Sequence, residues 1–264
     1  MKTAVTLCRV AEAAAGPFVF HQDLAEGFAK AAEHGFDSVE LFFPGPDAHS
    51  VEEIEALQAK HGLGVAAVGT GAGMVKHGLS LTDPDAAQRQ AARKFILEMV
   101  ELGGRLKAPA ILGSMQGRWG GDVSREQALA WLADALKIIG EAAAKYGVPF
   151  IYEPLNRYET NLINQVGEAA DWVRANKLNN IVLLADMFHM NIEEVNIADA
   201  MRAGGDLIGH VHFADSNRRA MGFGHTDPAP VIEALKEIGY SEYLSAEIFP
   251  LPDADQAAAQ TLKS

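Results

Sequence analysis

Short apolar segments alternate with longer amphipathic segments along the whole chain. The short runs have the length and apolar character of buried strands, and the longer ones repeat apolar residues at helical spacing. Eight such pairs can be distinguished in the 264 residues. The predicted strands are Ala4–Leu7, Ser38–Phe42, Gly64–Val68, Ala108–Leu112, Pro149–Tyr152, Ile181–Ala185, Ile208–Phe213 and Leu244–Ile248.

The segments between these strands predict helices. The clearest patterns lie at Asp23–His34, Val51–His61, Asp85–Leu102 and Ser124–Tyr146. Glycines follow several of them just before the next strand, as helix C-caps do, at Gly35, Gly62, Gly147 and Gly239. The repeated βα order predicts a parallel sheet, and eight repeats at this chain length favour an α/β fold of the (β/α)8 TIM-barrel type.

The chain shows no linker and no break in composition, so we expect residues 1–264 to form a single TIM-barrel catalytic domain. Two stretches, 69–82 and 113–123, are long, rich in glycine and follow predicted strands three and four. Both belong on the face that holds the carboxyl ends of the strands. Loops in that position shape a substrate pocket and can close over it.

Net charge, hydropathy and cysteine count each argue against some kinds of partner or compartment. A net charge of −13 argues against nucleic acid, whose binding depends on lysine and arginine contacts to phosphates. No apolar stretch approaches the length of a membrane span, and the apolar start of the chain is interrupted too early for a signal peptide. Cys8 is the only cysteine, so an intrachain disulfide is impossible. We therefore expect a cytoplasmic protein without nucleic-acid or membrane partners.

Four polar residues each come directly at the end of a predicted strand in the second half of the chain. They are Glu153, Asp186, His212 and Glu247. A parallel barrel gathers the carboxyl ends of its strands at one face, where such enzymes keep their active sites. A single carboxylate in such a position is more often a salt-bridge partner or a loop cap. Four at consecutive predicted strand ends indicate a shared site.

Three carboxylates and one imidazole are a suitable ligand set for a hard divalent cation. Mn²⁺ is the expected metal, with Co²⁺ and Mg²⁺ as alternatives, because the preferences of these ions overlap. Zinc sites more often contain cysteine or several histidines. Four protein ligands also leave coordination positions for two oxygens of a sugar.

The two glutamates suggest proton transfer as well as metal binding. The hydrogen beside a ketone is weakly acidic, and a metal lowers the barrier to its removal by stabilising an enediolate. Glu153 and Glu247 follow predicted strands five and eight, on opposite sides of a barrel mouth. One can remove a proton from one face of the substrate while the other delivers a proton to the opposite face.

Several motifs resemble one known family. They are E-P-L-N-R-Y-E-T-N at Glu153–Asn161, A-D-M-F-H-M-N-I-E-E at Ala185–Glu194, H-V-H-F-A-D-S-N-R at His210–Arg218 and G-F-G-H-T-D at Gly222–Asp227. Together they resemble the ketose 3-epimerases, xylose isomerase-like barrels that include D-tagatose and D-psicose 3-epimerases. Segments 69–71, 78–82 and 244–252 look most like the branch that contains 5-keto-L-gluconate epimerase.

The resemblance implies roles for seven residues. The metal ligands would be Glu153, Asp186, His212 and Glu247, with Glu153 and Glu247 as the catalytic pair. Residues that bind the C1–C2 end of the substrate would be Glu159, His189 and Arg218. His210 is interpreted as a supporting residue below the ligands. Met187 and Met221 depart from the family pattern near the pocket, which leaves the identity of the substrate open.

The resulting hypothesis is a metal-dependent epimerase acting on a ketose or a keto-sugar acid, in a homo-oligomer that the resemblance implies to be a dimer or tetramer. An aldose–ketose isomerase, such as one acting on hydroxypyruvate, would use the same metal chemistry but return the proton to C1. An endonuclease IV-like enzyme would need more metal ligands and a basic face. A non-catalytic sugar-binding barrel would have no need for two opposed glutamates.

Overall fold

Eight parallel strands lie side by side in chain order, and the first pairs with the last to close a barrel. The computed structural model describes residues 1–264. The strands are β1 Lys2–Cys8, β2 Ser38–Phe42, β3 Gly64–Gly69, β4 Ala110–Leu112, β5 Phe150–Tyr152, β6 Ile181–Asp186, β7 Ile208–His212 and β8 Tyr243–Ala246. The predicted TIM barrel is confirmed, with strand ends that differ from the prediction by about two residues at most.

Ten helices accompany the strands. They are α1 Leu24–His34, α2 Val51–His61, α3 Ala72–His77, α4 Ala86–Arg105, α5 Arg125–Ala144, α6 Val166–Ala175, α7 Met187–Glu193, α8 Ile197–Gly204, α9 Ala229–Glu237 and α10 Ala254–Thr261. The side chains of Asp23, Ser50 and Ser124 accept backbone hydrogen bonds at the starts of α1, α2 and α5. Gly35 and Gly62 end α1 and α2 in the left-handed conformation.

The stretch 69–82 was expected to be a loop, but it contains the helix α3. This helix has only six residues, two of which are Ala72 and Gly73, so it carries no clear amphipathic period. The stretch 113–123 begins with a short 3₁₀ turn at Ser114–Gln116. Both stretches follow strand ends, as predicted, and contribute to the wall of the cavity described below.

The inside of the barrel has an apolar part and a polar part. Alternation along a strand sends every second side chain inward. Ala67, Ile111, Ile151 and Leu184 form a small apolar cluster separate from the main core between strands and helices. Buried polar side chains fill the other part, among them Glu40, His210 and Ser245. These polar residues belong to β2, β7 and β8, whereas β3 to β6 supply the apolar cluster. No helix is both long and apolar enough to cross a bilayer.

Candidate active site

The four strand-end residues lie together at the mouth of the barrel. Asp186 and His212 are the last residues of β6 and β7 and face each other in the strand register. Glu153 and Glu247 are the first residues after β5 and β8. All four side chains are buried. The four residues that the sequence analysis placed at strand ends therefore lie together in the structure.

The imidazole of His212 is the centre of this cluster. Its Nδ1 atom lies 3.2 Å from Asp186 Oδ2, 3.5 Å from Glu247 Oε2 and 3.9 Å from Glu153 Oε1. Potential ligand atoms of Glu153, Asp186 and His212 all lie within 4.8 Å of one another. One nitrogen and three carboxylates converging in this way fit a divalent cation that prefers oxygen ligands.

Each oxygen of Asp186 has a separate partner. Oδ1 accepts backbone hydrogen bonds from Phe188 at 2.7 Å and His189 at 3.2 Å, which caps the start of α7. Oδ2 is left facing His212. A residue that closes β6 thus also fixes the helix that carries His189. The short segment A-D-M-F-H therefore places both Asp186 and His189 in the site.

Burial and close charges shift the pKa values of these groups in different directions. Burial, together with the nearby charges of Glu247 and Asp186, raises the pKa of Glu153 well above its usual range. Burial acts in the same direction on Asp186 and Glu247, but the positive charges of Arg218 and the histidines hold the pKa of each below its usual range. Burial disfavours the charged form of His212, yet Glu40 and Glu247 raise its pKa. Repulsion between the carboxylates therefore acts mainly on Glu153, while positive neighbours stabilise the charged forms of Asp186 and Glu247.

Arg218 supplies a positive charge beside the cluster. Its guanidinium forms an ion pair with Glu247 and lies 3.6 Å from Asp186 Oδ2 and 3.8 Å from Glu159 Oε1. It also packs over the ring of Phe188 at 4.9 Å. The backbone of Arg218 has a φ of 58°, in the left-handed region that non-glycine residues seldom adopt. The loop must therefore hold Arg218 firmly in place.

Asp215 holds this loop, and the sequence did not predict its role. Its carboxylate accepts four backbone hydrogen bonds, from Ser216 at 2.7 Å, Gly222 at 2.8 Å, Gly224 at 2.8 Å and Thr226 at 3.0 Å. Burial opposes ionisation, but these four donors bring the pKa of Asp215 down to about 2. One buried carboxylate thus organises the turn that presents Arg218.

Replacement of Asp215 by asparagine is expected to destabilise the protein by about 2 kcal/mol near neutral pH, because it removes a charged acceptor. The folded-state pKa lies below the unfolded one, so the contribution is full above the unfolded pKa and is lost as the pH falls towards 2. Urea unfolding should therefore show a difference from wild type that shrinks from about pH 5 to about pH 3. Asp227→Asn is the control, since Asp227 accepts only from Ala229. A constant difference across this range would contradict the assignment.

His189 presents an unpaired donor to the site. The backbone N–H of Asn156 donates to His189 Nδ1 at 3.4 Å, and the Asn156 side-chain amide lies 2.7 Å from the same nitrogen. Because Nδ1 accepts, Nε2 carries the proton in the neutral ring. Nε2 is buried without a hydrogen-bond partner, 3.7 Å from both Glu153 and Asp186. Buried donors are rarely left unpaired, so this one is suited to a bound oxygen.

These groups open into one cavity of about 260 Å³. Its inner end is polar and is lined by Glu153, Glu159, His189, His212, Arg218 and Glu247. Its outer walls are mostly apolar and include Val10, Phe18, Phe42, Val75, Ile111 and Leu155. All three predicted substrate-binding residues therefore line the same cavity as three of the four predicted ligands.

Gly113 allows Glu153 to take its position. A Cβ atom at residue 113 would lie 2.6 Å from Glu153 Oε2, closer than atoms can pack. The Glu153 carboxylate would therefore have to move away from residue 113.

Gly113→Ala is expected to weaken divalent-metal binding, because it displaces a proposed metal ligand. Titration calorimetry tests this, with Gly45→Ala as control because nothing lies near its Cβ position. Equal affinities in the two variants would contradict the prediction.

A fifth buried carboxylate, Glu40 in the middle of β2, was also missed from the sequence. Its Oε2 lies 2.8 Å from His210 Nε2 and its Oε1 lies 3.1 Å from His212 Nε2. Burial opposes its ionisation, but His212 and His210 hold the pKa of Glu40 well below its usual range. Glu40, His210 and His212 also form a compact set of potential ligands. Their separations are those of hydrogen bonds, so we interpret Glu40 and His210 as residues that support His212. The same role was predicted for His210 from the sequence.

The chain matches known proteins over most of its length. Residues 28–264 match the family described as xylose isomerase-like TIM barrel. The chain is 33% identical over 226 residues to D-psicose 3-epimerase of Ruminiclostridium cellulolyticum, covering 83% of this chain and 76% of that protein. It is 30% identical over 237 residues to 3-dehydro-D-guloside 4-epimerase of Escherichia coli, covering 86% and 88%.

Solved structures of epimerases have the same fold as this chain. The structure of D-psicose 3-epimerase with D-tagatose from Clostridium cellulolyticum H10 matches with a TM-score of 0.84 and 25% identity, over 100% of this chain and 97% of that one. The predicted kinship with ketose 3-epimerases and the predicted isomerase class are confirmed by these relatives. By its sequence match, its fold and its relatives, this chain belongs to the xylose isomerase-like TIM barrel family.

Proposed function

We propose that this protein is a divalent-metal-dependent epimerase that inverts the carbon next to the ketone of a ketose or keto-sugar acid. The observation that carries the proposal is the convergence of three buried carboxylates on His212 Nδ1, with two of them on glutamates from separate strands. The relatives support it, since one is named a psicose 3-epimerase and another a 3-dehydro-guloside 4-epimerase. Both names describe inversion beside a carbonyl carbon.

The residues that would hold the metal are Glu153, Asp186, His212 and Glu247. We propose Mn²⁺ as the ion, with Co²⁺ or Mg²⁺ as alternatives, because the donor set is rich in oxygen. When bound, the cation would polarise the substrate carbonyl and stabilise negative charge on the substrate oxygens. It would also neutralise the carboxylate charge that Arg218 and His212 offset only in part.

His189, Arg218 and Glu159 would bind the C1–C2 end of the substrate. The protonated Nε2 of His189 and the unpaired Nε of Arg218 can both donate to sugar oxygens. Glu159 is within 3.8 Å of Arg218 and is the partly exposed member of the group, so it can accept from a hydroxyl. Held at this end, the substrate would place its next carbon between the two glutamates.

Glu153 and Glu247 would move the protons. One carboxylate takes the proton from the carbon beside the ketone, and the electrons of that C–H bond shift towards the carbonyl oxygen. The other glutamate, as an acid, then gives a proton to the opposite face of the same carbon, and the carbonyl re-forms. β5 and β8 are separated by two strands on one side and four on the other, so the two carboxylates approach from different directions. In the reverse reaction their roles are exchanged.

We further propose that residues 1–264 act as one catalytic domain and that the chains form a dimer or tetramer, as the family resemblance implies. The oligomeric state can be measured directly by light scattering coupled to size exclusion. A monomer at all concentrations would contradict this part of the proposal.

The test of function is a substrate screen with the Mn²⁺-loaded enzyme. Ketohexoses, ketopentoses and keto-hexonates are incubated separately, and products are separated by chromatography and identified against standards. A product inverted at the carbon beside the ketone supports the epimerase. An aldose product would instead make the protein an aldose–ketose isomerase. No conversion of any member, with metal shown to be bound, would overturn the proposal.

A further inference from the structure

The two nitrogens of His212 face opposite environments. Nδ1 points to the three strand-end carboxylates, whereas Nε2 lies 3.1 Å from Glu40 Oε1, deeper in the barrel. The imidazole is almost completely buried, with 1% of its surface exposed. Its orientation is therefore determined by protein groups at both ends.

Glu40 is itself fixed within the barrel. It lies in β2, which is separated from β7 by β8 and β1, so its contact with β7 crosses the barrel interior. Its side chain is fully buried. One carboxylate oxygen binds His210 and the other binds His212, both at hydrogen-bond distance. Rotation of the Glu40 side chain would break both hydrogen bonds.

From this arrangement we infer that Glu40 is a positioning residue that prepares His212 to bind the metal. The inference rests on the proposed metal-dependent function. A carboxylate can only accept, so Glu40 keeps a proton on Nε2 of His212. In the neutral ring this leaves the lone pair on Nδ1, the nitrogen that faces the carboxylates. Partners of this kind orient metal-binding histidines and are required for full metal affinity.

The contact with His210 explains why a carboxylate is needed. Glu40 accepts from two histidines at once, through one oxygen each. A glutamine in its place offers one accepting oxygen and one donating amide. It can satisfy both histidines only if one of them changes tautomer or if a donor is left facing a donor. Where His212 is the ring that changes, its Nδ1 carries a proton and cannot bind a metal.

The test compares metal binding by wild type, Glu40→Gln and Ser38→Ala. Each protein is stripped with a chelator, and Mn²⁺ binding is measured by calorimetry and by the electron paramagnetic resonance spectrum of the bound ion. We expect the Kd of Glu40→Gln to rise by about 10- to 100-fold, with an altered spectrum. Ser38 is buried in the same strand, but its hydroxyl has no hydrogen-bond partner, so Ser38→Ala should bind with nearly wild-type affinity. Thermal melting of the metal-free proteins identifies any general loss of folding.

A nitrogen NMR spectrum of the Mg²⁺-loaded proteins provides a second readout that does not depend on stability. The wild type should show His212 with a protonated Nε2 and a metal-bound Nδ1, and this signature should be lost or mixed in Glu40→Gln. Equal affinity in Glu40→Gln and wild type would overturn the inference and leave the proposed function intact. Equal weakening in both variants would also overturn it, because the cause would then be core packing. Failure of the wild type to bind any divalent ion would instead contradict the proposed metal-dependent function.

Discussion

Glu247→Gln is expected to lower kcat for epimerisation by about 10²- to 10⁴-fold, the usual contribution of a general acid–base group. The variant keeps the shape of the side chain but removes one of the two groups that exchange protons with the substrate. Glu153 remains, so it should still take a proton from the epimer whose C–H bond faces it. Deuterium exchange without inversion should persist for that epimer and disappear for the other. Glu153→Gln should show the reverse preference.

The two glutamates are also proposed metal ligands, so metal content must be measured for every variant. Rates are compared with the site saturated, at metal concentrations well above the Kd of each protein. Glu242→Gln is the matched control, because Glu242 is exposed just before β8 and remote from the strand end that carries Glu247. Loss of exchange with both epimers in one metal-saturated variant, and its retention with both epimers in the other, would contradict the division of roles. It would instead indicate one base that serves both faces.

Removal of the metal is expected to abolish turnover and to lower the melting temperature. Three buried carboxylates then lie around His212 with only Arg218 and the histidines to offset their charge. Returning Mn²⁺ to about 100 times its Kd should restore activity and stabilise the folded state by about 2.7 kcal/mol. Calorimetric melting with and without the ion, together with rate measurements, gives both results.

Asp186→Asn provides the control for this experiment. Asparagine can still cap α7 through its side-chain oxygen, as Oδ1 of Asp186 does for Phe188 and His189, but it lacks the charge. We expect this variant to fold and to show little increase in melting temperature with Mn²⁺. Full activity in a chelated wild-type sample that is shown to be free of metal would contradict the metal-dependent mechanism.

The parts of the site that could be predicted from sequence are those governed by strand order. Asp186 and His212 end their strands and Glu153 follows its strand, and parallel strands bring such ends to one face. The barrel itself followed from the alternation of strand-like and helix-like segments. The predicted strand 244–248 ends later than β8 does, so Glu247 lies after the strand and not within it. This small shift leaves its side chain at the barrel mouth.

Residues whose roles depend on contacts across the fold could not be predicted in this way. Glu40 appears in the sequence as one charged residue inside an apolar strand, and its partners come from β7. Asn156 and Asp215 lie within recognisable motifs, but only the folded loops bring His189 to one and four backbone donors to the other. A charged residue within a short buried strand, as in S-V-E-L-F, is the signal that could have indicated Glu40.

The position of hydrogen exchange in the substrate tests the proposed reaction most directly. Mn²⁺-loaded enzyme is incubated with a converted ketose in D₂O, the metal is removed, and proton NMR locates the deuterium. The two-glutamate mechanism predicts deuterium at the carbon beside the ketone, C3 in a 2-ketose, in the inverted product, with C1 unlabelled. Deuterium at C1 together with an aldose product would contradict this mechanism and identify an isomerase.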